Sequence, residues 1–231
     1  ELCHSDGFRA VGYDIHGQYH QVTPVYVSAK ASQSPPSPFS VNSVMLVTGA
    51  RNIVAMLHAA AIAQQKGVCL ALVDQTPLAE SNDHLAQIIS QCQRSGLMVR
   101  YYATDFSQEP AILATLQEIQ RDFAAPIEYV LHGQLLSAHQ LQSQLSSGQI
   151  VREMGAKVLG AAFLTKHLSE VRWWLNVLNP AGLLGAANNH WVAMADELVD
   201  GLLGQYQAHH PNCQVISIAL DGTLVSGMDT L

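Results

Sequence analysis

An α/β fold built on a parallel sheet covered on both faces is predicted by three features of this sequence. Beyond residue 44, short apolar runs alternate with longer helical stretches. Most of those runs are continuous rather than alternating in hydrophobicity, as strands buried on both faces require. The 231 residues, 48% hydrophobic and 13% charged, also suffice to bury a core of that size. Together they describe a doubly wound, Rossmann-like parallel sheet. A small N-terminal β-hairpin appendage precedes it.

The appendage comes first. Phe8 to Tyr13 and Tyr19 to Val27 read as two short extended stretches joined through Asp14-Ile15-His16-Gly17-Gln18, with Gly at the turn. Ser32-Gln33-Ser34-Pro35-Pro36-Ser37-Pro38 follows as an extended, solvated connector. Residues 1–40 are therefore an N-terminal strand segment with a Pro/Ser-rich linker, and residues 41–231 the Rossmann-like domain.

Within that domain Val44 to Val47 reads as a buried strand, and the Ala-rich Ile53 to Lys66 as a helix stopped by Gly67. Val68 to Val73 is a second strand, and Leu78 to Ser95 a helix ended at Gly96. Met98 to Tyr102 is a third strand, and Pro110 to Phe123 a helix with Pro in its first turn. Ile127 to Leu131 is a fourth strand. Gln134 to Gln149 is rich in Gln and Ser, yet Leu135, Leu136, Leu141 and Leu145 suggest a short amphipathic helix. Val151 to Leu168 reads as one long helix, Trp173 to Leu178 as the fifth strand, Asn188 to Gln207 as a helix and Gln214 to Leu220 as the sixth strand.

Composition removes several function classes. Eleven Lys and Arg against eighteen Asp and Glu give a formal charge of −7, and the basic residues are scattered, so the footprint of a nucleic-acid binder is missing. No apolar run reaches the roughly 20 residues of a membrane-spanning helix. The start Glu1-Leu2-Cys3-His4 has neither an initiator Met nor a signal-peptide profile, which reads as a piece of something longer. Cys3, Cys69, Cys92 and Cys213 lie far apart with no C-x-x-C pair, so a reducing, cytoplasmic setting is expected and no metal site is. His16 and His20 straddle the first turn, and His209-His210 precede Pro211 in a polar stretch; both read as solvated loop histidines.

In folds of this kind the first strand-to-helix turn cradles a pyrophosphate, and glycines let the backbone approach it. Here the turn is Thr48-Gly49-Ala50-Arg51-Asn52-Ile53-Val54-Ala55, with Gly49 its sole glycine. That suits a tight turn feeding a helix, while Asn52, which tolerates a left-handed conformation, keeps a dinucleotide clamp open. Asp74 closes the second strand, as a solvated strand-end carboxylate or as an acceptor for an adenosine ribose that would favour NAD over NADP. Lys157, judged on its chemistry alone, lies at a helix edge with its stem packed and its ammonium in water. His190 reads as a structural histidine facing away from Val192, and no Gly-x-Ser-x-Gly elbow supports hydrolase chemistry.

Thr48-Gly49-Ala50-Arg51, Thr104-Asp105, Val130-Leu131-His132-Gly133, Lys157-Val158-Leu159-Gly160-Ala161, Ala181-Gly182-Leu183-Leu184-Gly185 and Gly227-Met228 fall in the order and approximate spacing of a known family. From about residue 42 to 231 the chain resembles ketoreductase domains of type I polyketide synthases and related polyunsaturated-fatty-acid synthases, within the short-chain dehydrogenase/reductase superfamily. His16-Gly17-Gln18-Tyr19-His20 is similar to the segment that precedes such domains. The resemblance implies NADPH-dependent reduction of a β-ketoacyl group on an acyl carrier protein, with Lys, Ser, Tyr and Asn at the site. Lys157 matches the lysine; the serine position is Asn179, the tyrosine position Val192 and the asparagine position Asp196. The phosphate loop's later glycines correspond to Ile53 and Ala55, leaving Gly49, Ala50, Arg51, Asn52, Asp74 and Asp105 as remnants of a cofactor site.

Reduction of a ketone needs a proton donor at the developing alkoxide, and valine has none. The resemblance therefore implies a catalytically inactive ketoreductase-like domain with a structural role inside a megasynthase, with no cofactor and with neighbouring synthase domains as its partners. The alternative is a slow or rearranged NAD(P)H-dependent β-ketoacyl-carrier-protein reductase that uses Lys157 and Asn179 with water as proton source. A third reading keeps the cleft as a docking surface for an acyl carrier protein, against which the acidic balance argues, because such carriers are usually acidic.

Overall fold

The computed structural model describes residues 11–13, 19–21, 39–78, 84–134, 136, 146–179 and 190–219. The chain divides into two compact units, Glu1–Pro38 and Phe39–Leu231. In the first, β1 (Val11–Tyr13) and β2 (Tyr19–Gln21) pair antiparallel, with Gly12 opposite His20. The intervening turn lies outside the described residues.

The second unit runs β3 (Val44–Thr48), α1 (Ile53–Lys66), β4 (Cys69–Asp74), α2 (His84–Arg94), β5 (Val99–Ala103), α3 (Glu109–Phe123) and β6 (Ile127–His132). Then come α4 (Ser147–Met154), a π-helical turn (Gly155–Leu159), α5 (Gly160–His167), β7 (Trp173–Leu178), α6 (His190–His209) and β8 (Gln214–Ala219). The six strands form one parallel sheet in the order β5-β4-β3-β6-β7-β8. Strand order reverses between β3 and β6, so their carboxyl ends flank the crevice where such sheets place ligands.

Every residue of β3 is buried, as is every residue of β4 except half-buried Cys69. Their alternate side chains feed two cores. Val44, Leu46, Val130 and Trp174 meet Ile112 and Ile119 of α3, Leu164 of α5 and Val199 of α6 on one face. Met45, Val47, Leu70 and Leu72 meet the small side chains of α1 and Ile88 and Ile89 of α2 on the other. Trp174 is wholly buried and Trp173 half-buried, as strand alternation requires.

Helix ends follow local chemistry. Asn52 caps α1, its side chain accepting from the Ala55 N–H, and Gly67 (φ 69°) ends it by donating to the Ala63 carbonyl. Ser146 and Gln149 form a capping box that starts α4 at Ser147, four residues before the apolar run suggests. The long helix expected over residues 151–168 is interrupted by the π turn centred on Lys157. His209 belongs to α6 rather than to a loop, and the His210 ring bonds back to the Tyr206 carbonyl. The amphipathic segment expected over residues 134–149 lies largely outside the described residues. Among described helices, none is long and apolar enough to cross a membrane.

Candidate functional site

At the carboxyl end of the sheet the apolar strands finish in polar residues. Thr48, His132, Asn176 and Ser217 stand in register across β3, β6, β7 and β8. They continue the face that Leu46, Val130 and Trp174 present to α5 and α6, since alternate residues share a side. The Thr48 hydroxyl and His132 Nδ1 share a hydrogen bond of 2.7 Å, both residues being wholly buried. Asn176 Nδ2 donates to Asp200 Oδ1 at 3.0 Å, and the Ser217 hydroxyl donates to the same oxygen at 2.5 Å.

Burial, followed by the charge of Lys157, pushes the His132 imidazole down to about 3, with a weaker backbone hydrogen-bonding contribution from Lys157 working the other way. The ring is therefore neutral at any physiological pH. Its Nε2 and the Asn176 Oδ1 are buried without a partner of good hydrogen-bonding geometry among the described residues.

Lys157 corrects the expectation of a helix-edge lysine. Its side chain has no exposed surface, and the π turn aims it inward, where Nζ forms a short ion pair with Asp196 Oδ1 and lies 3.5 Å from the Val177 carbonyl. An ammonium placed there must be paired, because an isolated buried charge is far costlier than a paired one. Asp196 Oδ2 accepts from the backbone N–H of Asn179 at 3.0 Å, so the carboxylate bridges α6, the π turn and the end of β7. Burial pushes the Asp196 carboxyl above the ordinary range, and Lys157 and the Asn179 N–H pull it back. Val192, one helical turn before Asp196, is wholly buried with Leu136, Trp191 and Ala195, and Val158 packs against this cluster. No Ser, Thr or Tyr occurs between Ser169 and Tyr206.

The first turn is tight. Gly49 adopts φ 63°, in the left-handed region, while Asn52, which tolerates that region, is extended at φ −70° and ψ 97°. A Cβ on Gly49 would lie 2.6 to 2.8 Å from backbone atoms of Gly133 and Gln134. Gly133 itself is hemmed in by the Ala55 methyl and the Thr48 carbonyl, at 2.8 and 2.9 Å from its own would-be Cβ. The Gly133 N–H donates to that Thr48 carbonyl, and Asn52 Nδ2 donates to the Gly133 carbonyl at 3.0 Å.

Asp74 is buried rather than solvated, at 8% exposure. Its carboxylate accepts from the Arg51 and Thr76 N–H groups at 3.2 and 3.3 Å, and Arg51 Nε stands 3.9 Å away. Gly49, Arg51, Asn52, Asp74, Gly133 and Gln134 line a cavity of about 290 Å³.

Two groups of the expected positions thus come together: Lys157, Asn179 and Asp196, with Val192 on the same helix face, and Gly49, Arg51, Asn52 and Asp74. Ala50 instead packs into the core, and Asp105 is exposed, its carboxylate accepting from the Ser107 N–H and hydroxyl. His190 is exposed, away from buried Val192. Sequence reasoning gave no role to Thr48, His132 and Asn176. Their signal was a polar residue interrupting or ending an apolar strand that sheet partners continue on both sides.

The KR domain family model matches residues 43–222. Lovastatin diketide synthase lovF of Aspergillus terreus is 24% identical over 133 residues, which are 58% of this chain and 5% of that protein. Lovastatin diketide synthase mokB of Monascus pilosus is 26% identical over 114 residues, 49% of this chain and 4% of that one. Among solved structures, an N-terminal ketoreductase from the macrolactin assembly line superposes with TM-score 0.69 at 22% identity, covering 89% of this chain and 40% of that one. NAD+-bound xylitol dehydrogenase gives 0.63 at 21% identity, covering 81% and 75%. The structural likenesses speak for the fold, and the chain spans about a twentieth of the curated synthases. With the family model reaching from the first strand of the sheet past the last described one, the chain belongs to the KR domain family of polyketide synthases.

Proposed function

We propose that this domain is a catalytically silent member of its family, serving a polyketide or fatty-acid megasynthase as a structural unit packed against neighbouring domains. The observation that carries the reading is the pairing of Lys157 with Asp196 beside Val192. In a working ketoreductase a lysine ammonium lowers the pKa of a tyrosine, which protonates the nascent alkoxide. Here the ammonium is bound to a carboxylate and the tyrosine position is a hydrocarbon. Asn179 replaces the serine, and its backbone N–H is already given to Asp196. Removing a general acid costs on the order of 10²–10⁴ in rate.

The reading draws further support from the apolar cluster of Leu136, Trp191, Val192 and Ala195, which offers a ketone no hydrogen-bond donor except the Trp191 indole. The relatives are large synthases of which this chain corresponds to a small fraction, so neighbouring domains of one polypeptide are the expected partners. An acyl carrier protein would be a partner only under the reductive reading or the docking-surface one.

The test is NADPH oxidation by the purified protein with a β-ketoacyl thioester. The expected rate is at least about 10²-fold below that of an active ketoreductase domain assayed alongside. Turnover within tenfold of the active domain would overturn the proposal.

A further inference from the structure

We infer that one buried water bridges His132 Nε2 and Asn176 Oδ1, and that it closes a hydrogen-bonded row running across the carboxyl ends of four strands. The inference concerns the side chains beneath the cleft and is independent of whether the domain turns a substrate over.

Thr48, His132, Asn176 and Ser217 are neighbours in register on β3, β6, β7 and β8, where strands lie about 4.8 Å apart. Two of the three links in that row are made within the protein. Thr48 and His132 share the 2.7 Å bond at Nδ1, and Asn176 and Ser217 meet on Asp200 Oδ1. The middle link joins two residues with no exposed surface, and neither His132 Nε2 nor Asn176 Oδ1 has a well-aligned partner among the described residues. Of the unpaired buried side-chain atoms, these are the two that stand in register on neighbouring strands. A buried polar atom left unmet forfeits its hydration, and one bridging group relieves both.

The chemistry of the two atoms identifies the bridge. Asn176 Oδ1 only accepts, and its amide cannot turn over, because that would set the oxygen against the Asp200 carboxylate. The bridging group must therefore donate. The neutral His132 ring donates or accepts at Nε2 according to whether Nδ1 takes or gives the proton shared with Thr48. Water suits both cases, giving one hydrogen to Oδ1 and meeting Nε2 with its lone pair or its second hydrogen. The Lys157 carbonyl decides between them. It accepts from the Gly160 N–H, keeps a second lone pair and contributes a backbone hydrogen bond at the ring, which favours the proton on Nε2. The water then accepts from Nε2–H, donates to Asn176 Oδ1 and has a second hydrogen for the carbonyl, the three bonds usual for a buried water. A cation in the same place would face the Lys157 ammonium, whose charge already opposes protonation of the ring.

With the bridge in place, hydrogen bonds run without a break from Thr48 through His132, the water, Asn176 and Asp200 to Ser217. Four parallel strands are thereby tied side chain to side chain at the end where the cleft opens, beyond what their backbone ladders supply.

The experiment is a crystal structure of the whole 231-residue chain at a resolution that shows ordered water, paired with oxygen-17 relaxation dispersion, which counts long-lived internal waters. A water peak is expected at about 2.7–3.2 Å from both His132 Nε2 and Asn176 Oδ1. Asn176→Leu replaces the acceptor with methyl groups and is expected to lower the count of long-lived waters by one. His132→Phe keeps a ring without its nitrogens and gives the same loss should the leucine variant misfold.

A direct hydrogen bond between Nε2 and Oδ1, no density between them, or a metal ion revealed there by anomalous scattering overturns the inference. So does an unchanged water count in both variants. None of these outcomes bears on NADPH oxidation, so the silent-domain reading stands or falls separately.

Discussion

Replacing Asp196 by Asn isolates the buried ion pair. The Lys157 side chain has no exposed surface and that of Asp196 is 7% exposed, so the variant strands an ammonium where water does not reach. Asn keeps an acceptor for the Asn179 N–H, which confines the perturbation to charge. Leaving that charge buried without its partner costs about 3–5 kcal/mol. Urea unfolding is therefore expected to put Asp196→Asn about 3–5 kcal/mol below wild type. That loss is a large share of the roughly 5–15 kcal/mol that holds a domain together. Lys157→Met with Asp196→Leu removes both charges at similar volume and should recover to within about 1.5 kcal/mol of wild type. A defect below about 1 kcal/mol would refute the reasoning.

His132, held near 3 in the fold against about 6.5 when unfolded, contributes stability that is present above pH 6.5 and lost as pH falls towards 3. Wild type should lose up to about 1.4 kcal/mol per pH unit across that window, and His132→Gln should show a visibly flatter slope in urea titrations between pH 6 and 4. Equal slopes would mean that the ring is not the titrating group. Gly133→Ala drives a methyl into Ala55 and the Thr48 carbonyl, and should cost about 1–3 kcal/mol by thermal denaturation; a neutral result would mean that the β6 loop is free to move away. Tyr206→Phe removes the hydroxyl that donates to the Leu168 carbonyl at 2.7 Å, while the ring stays against Trp174. A loss of about 1 kcal/mol is expected, and a loss above 3 kcal/mol would show that more than one hydrogen bond had gone.

The sheet was legible because burial on both faces writes itself into sequence as continuous apolar runs. β3, β4 and β6 each extend one residue past those runs, to Thr48, Asp74 and His132, because the ladder continues for as long as neighbouring strands pair. Helix α1 was readable at both ends from its alanines and Gly67. The start of α4 was hidden because Ser146 and Gln149, the two halves of its capping box, sit at the end of a Gln- and Ser-rich stretch that looks uniformly polar. No propensity marks the π turn at Lys157, which coincides with a side chain that must point inward.

The site divides along the same line. That position 192 offers no proton donor was readable outright, because valine is a hydrocarbon wherever it lies. The burial of Lys157 was not, because its partner is 39 residues away and a lysine beside small residues ordinarily sits at a helix edge. A signal existed in the other member of the pair. Asp196 interrupts the stripe Val192, Val199 and Leu203, which recurs at helical spacing and is wholly buried. An acid on such a stripe needs a cation, and Lys157 lies next to Ala156 and four residues before Ala161, on an apolar stripe of its own. Two opposite charges, each misplaced on the buried face of its own helix, are individually anomalous and jointly resolved by facing one another. Read as a pair, they point to a neutralised lysine, and a lysine neutralised by a carboxylate is a poor activator for any proton donor that replaces Val192. Placing tyrosine at that position alone is therefore expected to leave the rate of NADPH oxidation unchanged, and a gain of activity by Val192→Tyr with Asp196 intact would show that the pair does not hold the ammonium back.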